Sequence, residues 1–254
     1  MLLTPFVAAA VLARCFRWQE LAALIAIVAV FAMKEPLVVL ARQRWVWKQT
    51  HPESADAARW VIAEGVVAGV CGLALVLTGP VWIYAALFAG AVTFSVLAVW
   101  VNVRNRQRMT AFQVLSAFAL TSPSLTAALA ATGIVPAWCW PLWGLLAAQA
   151  TAGIFTIHAR LDARIASRTS VAGKTTSRQS AWICCALLAM GSLAAAFSNN
   201  YRISAALLLA AAGYAGELRR QTDSESLQTP LKAVGKQALA LSVLFAALLV
   251  AGLW

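Results

Sequence analysis

The sequence predicts an all-α fold, a polytopic membrane bundle of about nine transmembrane helices forming one integral membrane domain over residues 1–254. Three observations lead there. The chain is 62% apolar and only 11% charged, where a soluble domain carries about 25% charged residues. Long apolar runs recur between short polar clusters. The runs show no period-two alternation. Their backbone groups, if placed in lipid, must therefore be satisfied inside helices rather than in a barrel.

The first run, Leu2 to Ala13, has Pro5 inside it. It is short for a crossing that needs about 20 residues at 1.5 Å each. Arg14, Arg17 and Trp18 follow as interfacial residues. The second run, Leu21 to Ala41, carries Lys34-Glu35-Pro36. Charges in hydrocarbon cost about 2.5–3.5 kcal/mol each, so Lys34 and Glu35 are expected to face other helices, with Glu64 or Arg42 as partner. Pro36 removes a backbone donor and favours a kink. A polar loop from Arg42 to Arg59 holds Trp45, Trp47 and the patch His51-Pro52-Glu53.

The third run is Trp60 to Thr78, with Glu64 near its start, and Gly79-Pro80 turns the chain. Val81 to Val101 is the fourth, followed by Arg104-Asn105-Arg106-Gln107-Arg108. The fifth, about Phe112 to Thr132, breaks at Ser122-Pro123-Ser124. The sixth, Trp138 to Ile157, contains Gln149 and leads into His158-Ala159-Arg160-Leu161-Asp162-Ala163-Arg164. Ala181 to Phe197 is the seventh, Ile203 to Gly216 the eighth, and Gln237 to Trp254 the ninth. Small residues such as Ala210-Ala211-Ala212-Gly213 allow close helix packing.

Charge orients the bundle. Of the 20 Lys and Arg, 16 lie in the loops after the second, fourth, sixth and eighth runs. The positive-inside rule makes those loops cytosolic, the N-terminus cytosolic and the C-terminus external. The net charge of +11 is read as topogenic and lipid-facing, not as a nucleic-acid footprint. The five cysteines and two histidines have no paired-ligand spacing, so no metal and no cofactor is expected.

Three clusters are candidates for chemistry. Lys34-Glu35, with Glu64, reads either as coupling charges for transport or as a structural ion pair. Arg104, Asn105, Arg106 and Arg108 form a cluster dense enough to bind phosphate through guanidinium forks, or serve only topology. If the fourth helix continues, Arg104 and Arg108 share a face. His158 and Asp162 stand one helical turn apart, as do Arg160 and Arg164; a general base oriented by a carboxylate is one reading and helix capping the other. The combined candidate site is Lys34, Glu35, Arg42, Glu64, Arg104, Asn105, Arg106, Arg108, His158, Arg160 and Asp162. It would take an amphipathic ligand with an anionic head, and membrane lipids are the expected partners. A transporter and a non-catalytic scaffold are the alternatives, and whether the protein is an enzyme is left open.

Met1-Leu-Leu-Thr-Pro-Phe6, Lys34-Glu-Pro-Leu-Val-Val-Leu-Ala-Arg42, Arg104-Asn-Arg-Gln-Arg108 and His158-Ala-Arg-Leu-Asp-Ala-Arg164 together resemble the YwiC-like family of bacterial membrane proteins. The resemblance implies a multi-pass protein of the bacterial inner membrane. It also implies a His-Gly-Ala-Trp-type segment before the equivalent of Met1. The architecture is more distantly similar to UbiA-type prenyltransferases, which hold a magnesium-bound prenyl diphosphate on two aspartate-rich motifs. The matching places here hold Lys34, Glu35 and Arg42, and then His158 to Arg164 with Asp162 as the only acid. A magnesium clamp needs several carboxylates, so ordinary prenyl transfer is not expected.

Overall fold

A computed structural model describes residues 2–49, 52–169 and 176–254. His51, Ser170 and Lys174 lie outside the described residues. Among those described, the regular structure is helical: α1 (Leu3–Ala13), α2 (Trp18–Arg42), α3 (Glu53–Thr78), α4 (Val81–Val103), α5 (Thr110–Thr121), α6 (Pro123–Thr132), α7 (Cys139–Thr169), α8 (Thr176–Phe197), α9 (Tyr201–Arg220), α10 (Ser224–Leu227) and α11 (Leu231–Leu253). Each of the nine apolar runs is helical, with α5 and α6 together making the fifth. Seven of these segments are long and apolar enough to cross a membrane, and α1 is a shorter apolar helix. The protein is a multi-pass membrane protein.

Local chemistry sets the helix ends. α2 runs through Pro36 and passes at Arg42 into a π-helical turn, Gln43–Trp47. Lys48, at φ 51°, then ends it in the left-handed region. α4 stops because Asn105 takes φ 53°, and the Arg106 N–H reaches back to the Val101 carbonyl at 2.9 Å. Asparagine tolerates that conformation better than most residues, and the back-bond satisfies an orphan carbonyl. Asn199, at φ 57°, ends α8 in the same way. The Asn200 side chain then caps α9 by accepting from the Ile203 N–H at 3.3 Å. Pro123 opens α6 at a first-turn position, where its missing N–H costs nothing.

Apolar faces point outward, as lipid-facing helices require. Val66, Val70, Leu73 and Leu77 make one exposed stripe on α3, and Ile183, Leu187 and Met190 another on α8. The chain divides into two compact units. One comprises Met1–Leu12, Gln113–Ser124 and Ala137–Trp254; the other comprises Ala13–Phe112 and Leu125–Pro136.

In the first unit α9 packs along α8, α11 and α7. Its six buried residues include Ala206, Ala210, Ala211 and Tyr214. Arg202, near its start, donates to the Ala251 carbonyl of α11 at 2.6 Å. Glu217, near its end, pairs with Arg160 of α7. Those contacts lie 15 residues apart, about 22 Å along a helix. α9 falls outside the seven most apolar spans because its ends carry Arg202, Glu217, Arg219 and Arg220. Glycines let the helices approach: a Cβ on Gly213 would stand 2.8 Å from a Leu241 methyl, and one on Gly252 would stand 3.2 Å from the Ile203 backbone nitrogen. In the second unit α2 packs along α3, and α4 lies against both. A Cβ on Gly65 would meet the Met33 sulfur at 3.8 Å.

Candidate functional site

In the second unit one guanidinium joins two of the basic segments. Arg42, at the last turn of α2, donates from Nη2 to the Asn102 carbonyl at 3.2 Å and to the Asn102 side-chain oxygen at 3.0 Å. It also donates to the Asn105 side-chain oxygen at 3.4 Å. Asn102 lies in the last turn of α4, and its carbonyl also accepts the Asn105 N–H at 3.1 Å. A cation there suits the negative end of the helix dipole. Arg42 therefore caps α4 from α2, and the contacts use Nη2 alone. Its Nε and Nη1 make no hydrogen bond among the described residues.

Around that clamp Arg104, Arg106 and Arg108 are all exposed. The Arg104 guanidinium stacks over the Trp100 ring, 4.6 Å from its centre, which fixes the arginine by a cation–π contact. α4 ends at Val103. The expectation that Arg104 and Arg108 share a helical face is therefore corrected: the left-handed Asn105 sends the following residues off the helix axis. A cleft of about 420 Å³ opens beside the end of α2, lined by Val39, Gln43, Trp47, Pro52 and Glu53.

Glu35 does not face inward as expected, whereas Lys34 is half-buried. The Lys34 side chain is 37% exposed and that of Glu35 is 79% exposed, and they pair with each other at 3.9 Å. The expected partners are also corrected: the bonds of Arg42 go to Asn102 and Asn105, and Glu64 sits half-buried on α3. The reason is the packing face of α2. Ala23, Ala29 and Val38 are its buried apolar residues, which leaves Glu35 on the flank.

The third cluster lies in the first unit, where it closes the end of α7. Arg160 is 2% exposed. It forms an ion pair with Glu217 of α9 and donates to the Ser226 carbonyl at 2.5 Å. Arg164, on the same face one turn later, donates from Nε to the Leu227 carbonyl at 2.7 Å and from Nη2 to the Thr229 carbonyl. The two arginines thus hold the segment after α9 against α7 through three carbonyls. Gln221 joins the cluster, donating to the Thr156 carbonyl at 3.1 Å and to Glu217 at 3.5 Å. Asp162 points elsewhere, accepting from the Ser177 hydroxyl of α8 at 2.8 Å. His158 is half-buried one turn before it.

Two groups escape a reading of the sequence alone. Glu217 lies past the apolar run, so it reads as a loop residue, yet α9 continues to Arg220 and carries it against Arg160. Deeper in the same unit, Gln149 of α7 donates to the Tyr214 hydroxyl of α9 at 2.5 Å and to the Ser242 hydroxyl of α11 at 2.9 Å. All three residues are buried. This hydrogen-bonded set ties three helices together where an unpaired polar group would be costly. Among the described residues no group of three or more His, Cys, Asp or Glu stands close enough to hold a metal ion.

No curated protein and no solved structure matches the chain. The family model described as YwiC-like protein does match, over residues 1–124. That stretch contains Lys34-Glu35, the Arg42 clamp and the Arg104–Arg108 cluster. Residues 1–124, just under half of the chain, are thus similar to the YwiC-like family, and they include the basic segments after α2 and α4.

Proposed function

We propose that the protein binds an amphipathic ligand with an anionic, phosphate-bearing head at the mouth formed by Arg42, Arg104, Arg106 and Arg108. The observation that carries the reading is the Arg42 clamp on Asn102 and Asn105. It draws the basic segments after α2 and α4 together and leaves the Nε and Nη1 donors of Arg42 without a hydrogen bond among the described residues. Guanidinium groups match phosphate oxygens in pairs of hydrogen bonds. At a membrane surface the low dielectric strengthens each contact. The arginines supply the positive charge themselves, so the ligand needs no magnesium. The mouth opens to the cytosolic leaflet of the inner membrane, with the N-terminus inside and the C-terminus outside, in accord with the bias of 16 of 20 basic residues. Arg160 is committed to Glu217 in this reading, and it stabilises the first unit rather than meeting the ligand.

The test is lipid binding by the purified protein. A phosphate-headed anionic lipid such as phosphatidylglycerol should bind saturably without magnesium, and binding should weaken when Arg106 becomes Gln. Unchanged binding in that variant, or equal loss on changing the exposed Arg219 of the first unit to Gln, would leave the arginines a purely topogenic role.

A further inference from the structure

The cleft at the end of α2 has the wrong chemistry for an anion. Val39, Gln43 and Trp47 lie at four-residue intervals, which puts them on one face of the end of α2 and its π turn. Pro52 and Glu53 close the other side. Gln43 is 6% exposed and is held in place by the Ser54 hydroxyl, which donates to its side-chain oxygen at 2.5 Å. The cleft is thus lined by an indole, two apolar side chains and a carboxylate besides Gln43. Glu53 and Trp47 are both exposed. A carboxylate beside an indole face is the combination that attracts an organic ammonium: the carboxylate by charge, the ring by its quadrupole. Arg42 and Gln43 are neighbours at the end of α2, the first turned to Asn102 and Asn105 and the second to Ser54 beside the cleft.

We infer that this cleft is an ammonium subsite and that the favoured ligand is a zwitterionic phospholipid, its phosphate on the arginines of the mouth and its amine between Trp47 and Glu53. The phosphate half rests on the proposed function above; the amine half rests on the cleft alone. Glu53 sits in the first turn of α3 and opens it, where an acidic residue also favours the helix dipole. That local role is kept by Glu53→Asp and partly lost in Glu53→Gln, so both variants are needed.

The experiment titrates the purified full chain with phosphatidylethanolamine, phosphatidylcholine and phosphatidylglycerol, and follows intrinsic tryptophan fluorescence and native mass spectrometry. Phosphatidylethanolamine is expected to bind more tightly than phosphatidylglycerol. Glu53→Gln should weaken phosphatidylethanolamine by roughly three- to fivefold, the scale of one exposed cation–π or charge-assisted contact. It should leave phosphatidylglycerol unchanged, and Glu53→Asp should restore most of the difference. Trp47→Leu should weaken both amine-bearing lipids, phosphatidylcholine more than phosphatidylethanolamine, because the quaternary head depends on the ring. If Glu53→Gln leaves phosphatidylethanolamine unchanged, or weakens phosphatidylglycerol equally, the ammonium subsite is wrong. Failure of Arg106→Gln to weaken any of the three overturns the phosphate half separately.

Discussion

Replacing Arg160 by Met should unfold the first unit more readily than any surface change in the same helices. The side chains of Arg160 and Glu217 are 2% and 15% exposed. Among the described residues, removing the arginine leaves the Glu217 carboxylate with only the Gln221 amide at 3.5 Å. Stranding one member of a buried pair costs about 3–5 kcal/mol. At about 2–4 °C per kcal/mol for a chain of this size, the melting temperature should fall by roughly 6–20 °C. Changing both partners, Arg160→Met with Glu217→Leu, removes both charges together. That double variant should recover the part of the loss caused by the stranded carboxylate, because burying neither charge is often neutral or better. It should not recover the Arg160 bond to the Ser226 carbonyl. Arg219→Gln, on the exposed side of α9, should change stability by less than about 0.5 kcal/mol. The assay is thermal unfolding in a mild detergent at one fixed scan rate. A single Arg160→Met variant that melts with the wild type would refute the reasoning. So would a double variant that melts as low as the single.

Three further outcomes follow from the same contacts. Gly153→Ala places a Cβ 3.0 Å from the Tyr214 hydroxyl. It should lower thermal stability by about 1–3 kcal/mol, the range for overpacking; a wild-type melt would show that the Gln149–Tyr214–Ser242 set has room to move. Arg42→Ala removes the cap on α4 and should cost about 1–2 kcal/mol, whereas Arg106→Gln should leave the melt unchanged. Equal melts for the two would deny the clamp a stabilising role. Reporter fusions after Lys48, Arg108 and Thr222 should read cytosolic and one after Trp254 external; a cytosolic signal at Trp254 would break the nine-crossing arrangement.

The helices were legible because the physics of lipid leaves no alternative for a long apolar run. Their ends were less so. α3 begins at Glu53, well before the apolar residues start at Trp60, and α7 continues to Thr169, well past Ile157. α9 also outlasts its apolar stretch. Alanine, arginine and glutamate are good helix formers, so a helix continues into water after hydrophobicity has ended. Glu217, just past an apolar run, therefore reads as a loop residue, yet it lies on α9 and pairs with Arg160. The basic clusters were visible as charge, but their partners depend on tertiary packing. Nothing local distinguishes Arg42, which caps another helix, from Arg106, which is exposed. Glu35 illustrates the opposite error. Two charges in an apolar run suggested a buried site, yet the packing face of α2 is set by Ala23, Ala29 and Val38, and Glu35 lies on its flank.

The central claim is that the arginines after α2 and α4 make one anion-binding mouth. The measurement that tests it most directly is the affinity of phosphatidylglycerol for the purified protein, with and without magnesium, for wild type, Arg106→Gln and Arg219→Gln. The account requires saturable binding that is indifferent to magnesium, weakened by Arg106→Gln and untouched by Arg219→Gln. Binding that is lost equally in both variants, or that appears only with magnesium, would contradict it.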